Sequence, residues 1–255
     1  MKKIFLISFI FSAVAFSQTL IPKLPQITAS SFLLIDAETN KIIAQQNPEA
    51  STGLASITKI MTSYIVADYL KQGFLNIKDS TTVSEKCWRM EGSRMFIQEG
   101  KKVLIEDLMR GMIIQSGNDA ACALAEHIAG TQEDFASLMN DYAQKMELKN
   151  TNFTNPTGLP NVNHYSTAED IAKLSIVLIN DFPDEYAIYS EKEFTYNDIR
   201  QLNRNSLLWQ DDSIDGIKTG HTRASGYCLV ASSKRADMRL ISIVLNSASE
   251  KSRLQ

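Results

Sequence analysis

YCLVASS at 227–233 and RLISIVL at 239–245 are two apolar, β-prone runs joined by Lys234-Arg235-Ala236-Asp237, and they read as a hairpin. A matching pair stands at the other end of the chain, SFLLID at 31–36 and KIIAQ at 41–45 around Ala37-Glu38-Thr39-Asn40. The sequence between them is mostly helical in period. Ser56 to Leu70, Ile105 to Ile114, Asp119 to Ile128, Glu133 to Met146 and Thr167 to Ile179 each repeat apolar residues at three and four. Strands at both ends with helices between predict an α+β fold, an antiparallel sheet built from N- and C-terminal strands with a helical region inserted in sequence. Asn155-Pro156-Thr157-Gly158-Leu159-Pro160-Asn161 is dense in turn formers and reads as a loop. Thr167, followed by Glu169 and Asp170, reads as an N-cap with acids in the first helical turn.

At 255 residues, 44% hydrophobic and 22% charged, the chain can bury a core without a metal or disulfide staple. A net charge of −3 gives no basic stripe for phosphate neutralisation, so a nucleic-acid partner is not expected. Met1-Lys2-Lys3, the apolar run Ile4 to Phe16 and the small-x-small pattern Ala15-Phe16-Ser17 form a secretory signal, expected to be cut after Ser17. The apolar run is short for a membrane span. The expected organisation is a signal peptide at 1–17, a short lead-in at 18–30 and one main domain at 31–255, in an exported protein of the periplasm or cell envelope. Cys87, Cys122 and Cys228 show no metal-ligand spacing and allow at most one disulfide. Cys122, in an alanine-rich helical stretch, is expected to be a buried thiol acting as a small hydrophobe.

No GxSxG, HExxH or GxxxxGK[ST] occurs, and the histidines are His127, His164 and His221. A Ser-His-Asp triad through His221 has no local sequence in its favour. Ser56-Ile57-Thr58-Lys59 stands out instead, because residues three apart on a helix share a face and the amine can reach the hydroxyl. Lysine serves as a base only if desolvation or a neighbouring cation depresses its pKa. Alone, such a motif is better read as a serine cap and a solvated lysine. Two further pieces change that reading. Ser116-Gly117-Asn118 follows one helix and opens the next, offering a second hydroxyl and an amide. Lys218-Thr219-Gly220, ahead of the last hairpin, offers a cation, a hydroxyl and a glycine that allows close backbone approach.

With SxxK, SxN and KTG in this order, the chain resembles the D-alanyl-D-alanine carboxypeptidases, low-molecular-mass penicillin-binding proteins of the serine type. Gly92-Ser93-Arg94-Met95-Phe96-Ile97, Asn155-Pro156-Thr157-Gly158-Leu159, Ser166-Thr167-Ala168-Glu169-Asp170, Asn203-Arg204-Asn205-Ser206-Leu207-Leu208 and Asp215-Gly216-Ile217-Lys218-Thr219-Gly220-His221-Thr222 are similar to that family too. The likeness runs from about Ser30 to Leu245. It departs at Ser51-Thr52-Gly53-Leu54-Ala55, where the family usually carries an Arg and a Pro-Ala. It also stops short of the β-rich C-terminal domain and anchoring helix common in the family, so membrane attachment is not carried over.

The resemblance implies a penicillin-binding protein or β-lactamase-like fold acting on stem peptides of peptidoglycan that end in D-Ala-D-Ala, with β-lactams as inhibitors. It makes Ser56 the nucleophile, Lys59 its base and Ser116 a proton relay. Asn118 would orient the substrate amide, and Lys218 would lower the pKa of Lys59 and attract the terminal carboxylate. Thr219, Gly220 and His221 would line the substrate, with the backbone N–H groups of Ser56 and His221 holding the oxyanion. Arg204 is a candidate second carboxylate ligand, against a structural reading in which it bonds backbone carbonyls. No metal or organic cofactor is implied. The alternatives are a D,D-endopeptidase, a serine β-lactamase, for which Glu147 offers a faint deacylating carboxylate, and a catalytically dead peptidoglycan-binding module.

Overall fold

The computed structural model describes residues 27–254. The signal peptide expected at 1–17, and most of the lead-in, lie outside the described residues. Both sequence-predicted hairpins form, and they share one sheet. Strands β1 (Ala29–Asp36) and β2 (Ile42–Gln46) are the N-terminal pair. Two short strands, β3 (Ser80–Thr82) and β4 (Lys102–Leu104), pair with each other, as do β5 (Glu193–Tyr196) and β6 (Ile199–Leu202). Strands β7 (Ile214–Thr222), β8 (Gly226–Arg235) and β9 (Met238–Ser247) complete a five-stranded antiparallel sheet of order β2-β1-β9-β8-β7. β1 pairs with β9, Leu33 opposite Ile243, which closes the two termini into one layer. β7 is left as an edge strand.

Alternation along the strands assigns the faces. Leu33 and Ile35 of β1 and Ile241, Ile243 and Leu245 of β9 point into the main core. Phe32 and Val244, one residue out of phase, pack together in a separate small cluster. The inserted helices are α1 (Lys59–Lys71), α2 (Glu85–Trp88), α3 (Ile105–Ile113), α4 (Asn118–Ala129), α5 (Gln132–Lys145), α6 (Ala168–Asp181) and α7 (Pro183–Tyr186), and α8 (Glu250–Arg253) follows the sheet. Helix α6 packs on β1 and β9. Its expected N-cap is present, the Thr167 hydroxyl accepting from the Asp170 N–H at 3.1 Å. Helix α1 is buried over most of its length, Lys59 included, because it runs through the core.

One expectation is corrected. Cys122 is not a free thiol: it is bonded to Cys87, with a Cα–Cα distance of 5.3 Å, tying α2 to α4. The spacing along the chain gave no sign of it, since the partners are 35 residues apart and meet only through tertiary packing. Cys228 is the free, buried cysteine.

Candidate active site

Ser56 lies in a 3-10 turn over Ala55–Thr58 that leads directly into α1. Ala55 has φ +48°, a left-handed backbone unusual for a residue with a Cβ, so Ser56 sits on a strained corner. Thr58 helps hold it: its hydroxyl donates to the Ala55 carbonyl at 2.8 Å. His164 Nε2 lies 2.7 Å from the same hydroxyl, and its Nδ1 accepts the Thr154 N–H at 3.0 Å. With Nδ1 accepting, Nε2 carries the proton and donates to Thr58. Burial pushes His164 down to about 4, so it is neutral and structural. His221 is exposed and stacks on Tyr227 with ring centroids 4.0 Å apart. The histidine-triad alternative therefore has no support in the geometry.

Lys59 Nζ is fully buried and has three polar neighbours: Ser56 Oγ at 3.0 Å, Asn118 Oδ1 at 2.6 Å and the Thr157 carbonyl at 2.7 Å. Two of these can only accept, whereas the serine hydroxyl can also donate. A neutral amine has two hydrogens and one lone pair, so it satisfies both acceptors and keeps the lone pair for the Ser56 proton. Burial holds the amine well below the usual lysine range, the Lys218 charge adds to this, and Asp119 opposes it.

The two acceptors come from the loops the sequence singled out. In 155–159, Asn155 Oδ1 accepts from the N–H groups of Thr157 and Gly158 at 3.1 and 2.8 Å, folding the loop so that the Thr157 carbonyl faces Lys59. Gly158 has φ +85°, and a Cβ there would come within 1.7 Å of the Ala55 carbonyl oxygen, so only glycine fits.

Asn118 opens α4, and its side chain is committed at both ends, Oδ1 to Lys59 and Nδ2 to the Glu91 carbonyl at 2.6 Å. It thus positions Lys59 in addition to any contact with substrate. The next residue, Asp119, accepts from the N–H groups of Met95, Phe96 and Ile97 and binds their segment to the helix start. Ser116 sits just before, at φ +65°, buried and facing the cavity that Ser56 lines.

That cavity, about 280 Å³, is lined by Ser56, Ser116, Arg204, Thr219, Gly220 and Arg253 among others. Gly220 passes so close to Ser56 that a Cβ would stand 3.1 Å from the Ser56 nitrogen. This brings the β7 backbone beside the Ser56 N–H. Arg204 is exposed at the cavity and makes no side-chain hydrogen bond among the described residues, which favours a ligand-binding over a structural role. Lys218 is buried, with the Thr219 carbonyl at 3.4 Å as its polar contact. Burial, together with the Arg204 and Arg253 charges, lowers it to about 7.

Arg253 escaped the sequence reading. It is buried, reaches the Gly220 carbonyl at 3.5 Å and pairs with Glu250 at 2.8 Å. A lone arginine near the C-terminal end has no local signal, because α8 folds back onto β8 and β9 to bring it there.

A serine hydroxyl on a buried lysine, a second hydroxyl at the same cavity and an edge strand beside them define a lysine-based class of serine acyl-transfer folds. Residues 18–249 match the D-alanyl-D-alanine carboxypeptidase family, and the chain belongs to it. It is 45% identical over 252 residues to the D-alanyl-D-alanine carboxypeptidase DacC of Escherichia coli, covering 96% of this chain and 63% of that protein. Among solved structures it is similar to penicillin binding protein 5 from Haemophilus influenzae, at 47% identity and TM-score 0.88, over 91% of this chain and 69% of the other. Penicillin-Binding Protein D2 from Listeria monocytogenes, solved in an ampicillin-bound form, aligns at 27% identity and TM-score 0.83, over 91% and 95% of the two chains. The chain spans 60–63% of the length of the first curated relatives it matches.

Proposed function

We propose that this protein is an exported serine-type D-Ala-D-Ala carboxypeptidase that trims peptidoglycan stem peptides through an acyl-enzyme and is acylated by penicillins. The observation that carries this reading is the three-partner environment of Lys59, which presents a lone pair to Ser56. Ser56 Oγ attacks the carbonyl of the penultimate D-alanine as Lys59 takes its proton. The oxyanion is held by the backbone N–H groups of Ser56 and His221. Lys218, Thr219, Arg204 and Arg253 draw the terminal carboxylate into the cationic cavity, where its charge favours protonated Lys218. Ser116 passes a proton to the departing D-alanine amine, and water then releases the acyl group. Asn118 holds Lys59 and accepts from the substrate amide with its second lone pair.

The β-lactamase alternative is weaker. Glu147 is exposed and lines a different cavity with Asn140 and Lys149. Ser56, Lys59 and Lys218 are all in place, which disfavours the dead-module reading. Among the described residues no helix is long and apolar enough to cross a membrane.

The test is product analysis with a D-Ala-D-Ala peptide, a cross-linked muropeptide and a penicillin. The expected result is free D-alanine and a stable penicilloyl adduct. Cleavage of cross-links alone would move the assignment to an endopeptidase, and rapid penicillin turnover to a β-lactamase.

A further inference from the structure

Arg204 stands between two asparagines whose side chains turn the other way. Asn203 and Asn205 are buried, whereas Arg204 is exposed at the cationic cavity that Ser56 lines. A buried amide needs partners for both its ends, and both of these amides have them. Asn203 Nδ2 donates to the Tyr189 and Glu191 carbonyls at 3.2 and 2.9 Å, and its Oδ1 accepts the Asn205 N–H at 2.9 Å. Asn205 Nδ2 donates to the Gly216 carbonyl at 3.0 Å, and its Oδ1 accepts the Leu207 N–H at 3.3 Å. Between them the Arg204 N–H donates to the Ile114 carbonyl at 3.2 Å.

One short loop is thereby tied to three parts of the fold. Ile114 closes α3, two residues before Ser116. Tyr189 and Glu191 lead into β5. Gly216 lies in β7, two residues before Lys218, and β7 is itself held by pairing with β8 from Ile214 to Thr222. The Arg204 guanidinium has no hydrogen bond of its own among the described residues, so its reach is set by where the loop holds its backbone. A guanidinium fork grips a carboxylate only from a matching direction. A displacement of about 1 Å can cost on the order of 100-fold in rate.

Resting on the carboxypeptidase reading, we infer that Asn205, braced by Asn203, is a positioning residue that fixes Arg204 on its loop relative to Lys218 and Thr219 on β7, and so selects substrates ending in a free carboxylate. Both asparagine amides are committed to the protein, and Asn205 acts on the substrate through Arg204.

The experiment compares kcat/KM for acetyl-L-Ala-D-Ala-D-Ala and its C-terminal amide, and acylation rates by benzylpenicillin and its methyl ester. The wild-type protein should favour the free carboxylate about tenfold or more in each pair, as expected for hydrogen bonds to a charged group. Asn205→Ser keeps an oxygen for the Leu207 N–H but is too short to reach Gly216. It should lower both preferences about tenfold, mainly through KM for the peptide, and leave the amide and ester rates within about twofold. In an Arg204→Ala background the same substitution should change the preferences less than about twofold, since effects that act through one group do not add. Asn203→Ser, which releases the loop from Tyr189 and Glu191, should act in the same sense and carries the test if Asn205→Ser does not fold. Preferences unchanged in both variants, equal losses on both members of a pair, or the same loss with and without Arg204 overturn the positioning role. If no peptide is cleaved but the penicillin preference falls in Asn205→Ser, and falls no further when that change is added to Arg204→Ala, the positioning role stands and the carboxypeptidase reading fails.

Discussion

Replacing Lys218 by methionine removes a buried amine whose folded-state pKa is about 7 against 10.5 for the free group. Below about pH 7 the lysine is charged in both the folded and unfolded chain, and the fold carries the whole cost of desolvating that charge. Between about 7 and 10.5 the unfolded chain keeps the proton that the folded chain has lost, so wild-type stability rises with pH across this window. Above it the amine is neutral in both states and the cost is gone. At 1.36 kcal/mol per pKa unit the full cost is about 5 kcal/mol. Lys218 is 2% exposed, so solvent does little to screen it. Methionine has a similar linear shape and no charge. Lys218→Met should therefore be more stable than wild type near pH 6, by several kcal/mol and on the order of 10 °C in Tm, while losing the proposed carboxypeptidase activity. The gain should shrink with rising pH and vanish near pH 10.5. Denaturation of both proteins at pH 6, 8 and 10 reads this directly. A variant no more stable than wild type at pH 6, or a gain that does not change with pH, would refute the argument that this cation is held at the site against a folding cost.

Penicillin treatment should add one adduct by intact mass, mapping to the peptide containing Ser56, and Ser56→Ala should take none; label on the alanine variant would displace Ser56 as nucleophile. Acylation rate should fall on the acid side as Lys59 gains a proton, because burial holds its pKa well below the usual lysine range and only the neutral amine can take the Ser56 proton. Lys59→Arg should fail to acylate at any pH, since guanidinium does not give up its proton. His164, near 4 and bonded to Thr58, should not supply that acid limb, so a limb that persists when His127 and His221 are each replaced supports Lys59 as its source. Losing the Cys87–Cys122 bond, which closes a span of 35 residues, should cost about 4 kcal/mol by chain entropy; paired serine variants with unchanged denaturation midpoints would show that the bond does not form in the folded protein.

Much of this protein was legible in its order of residues. The terminal hairpins, the inserted helices, the Thr167 cap and the loop at 155–161 are local patterns, governed by side-chain periodicity and turn chemistry within a few residues. Ser56 and Lys59 belong to the same class, because their separation of three along a helical corner already places amine beside hydroxyl, as the 3.0 Å contact bears out. The lysine's protonation state is of another kind. It depends on the depth of burial of α1, on a carbonyl from residue 157 and on an amide from residue 118, none of which is near residue 59 in sequence. The Cys87–Cys122 bond and the arrival of Arg253 at Gly220 are likewise products of packing between distant elements. Desolvation and long-range contact are properties of the assembled core, so the proposed reacting groups could be named from the chain, while the surroundings that set their protonation were decided only when the helices closed over the sheet.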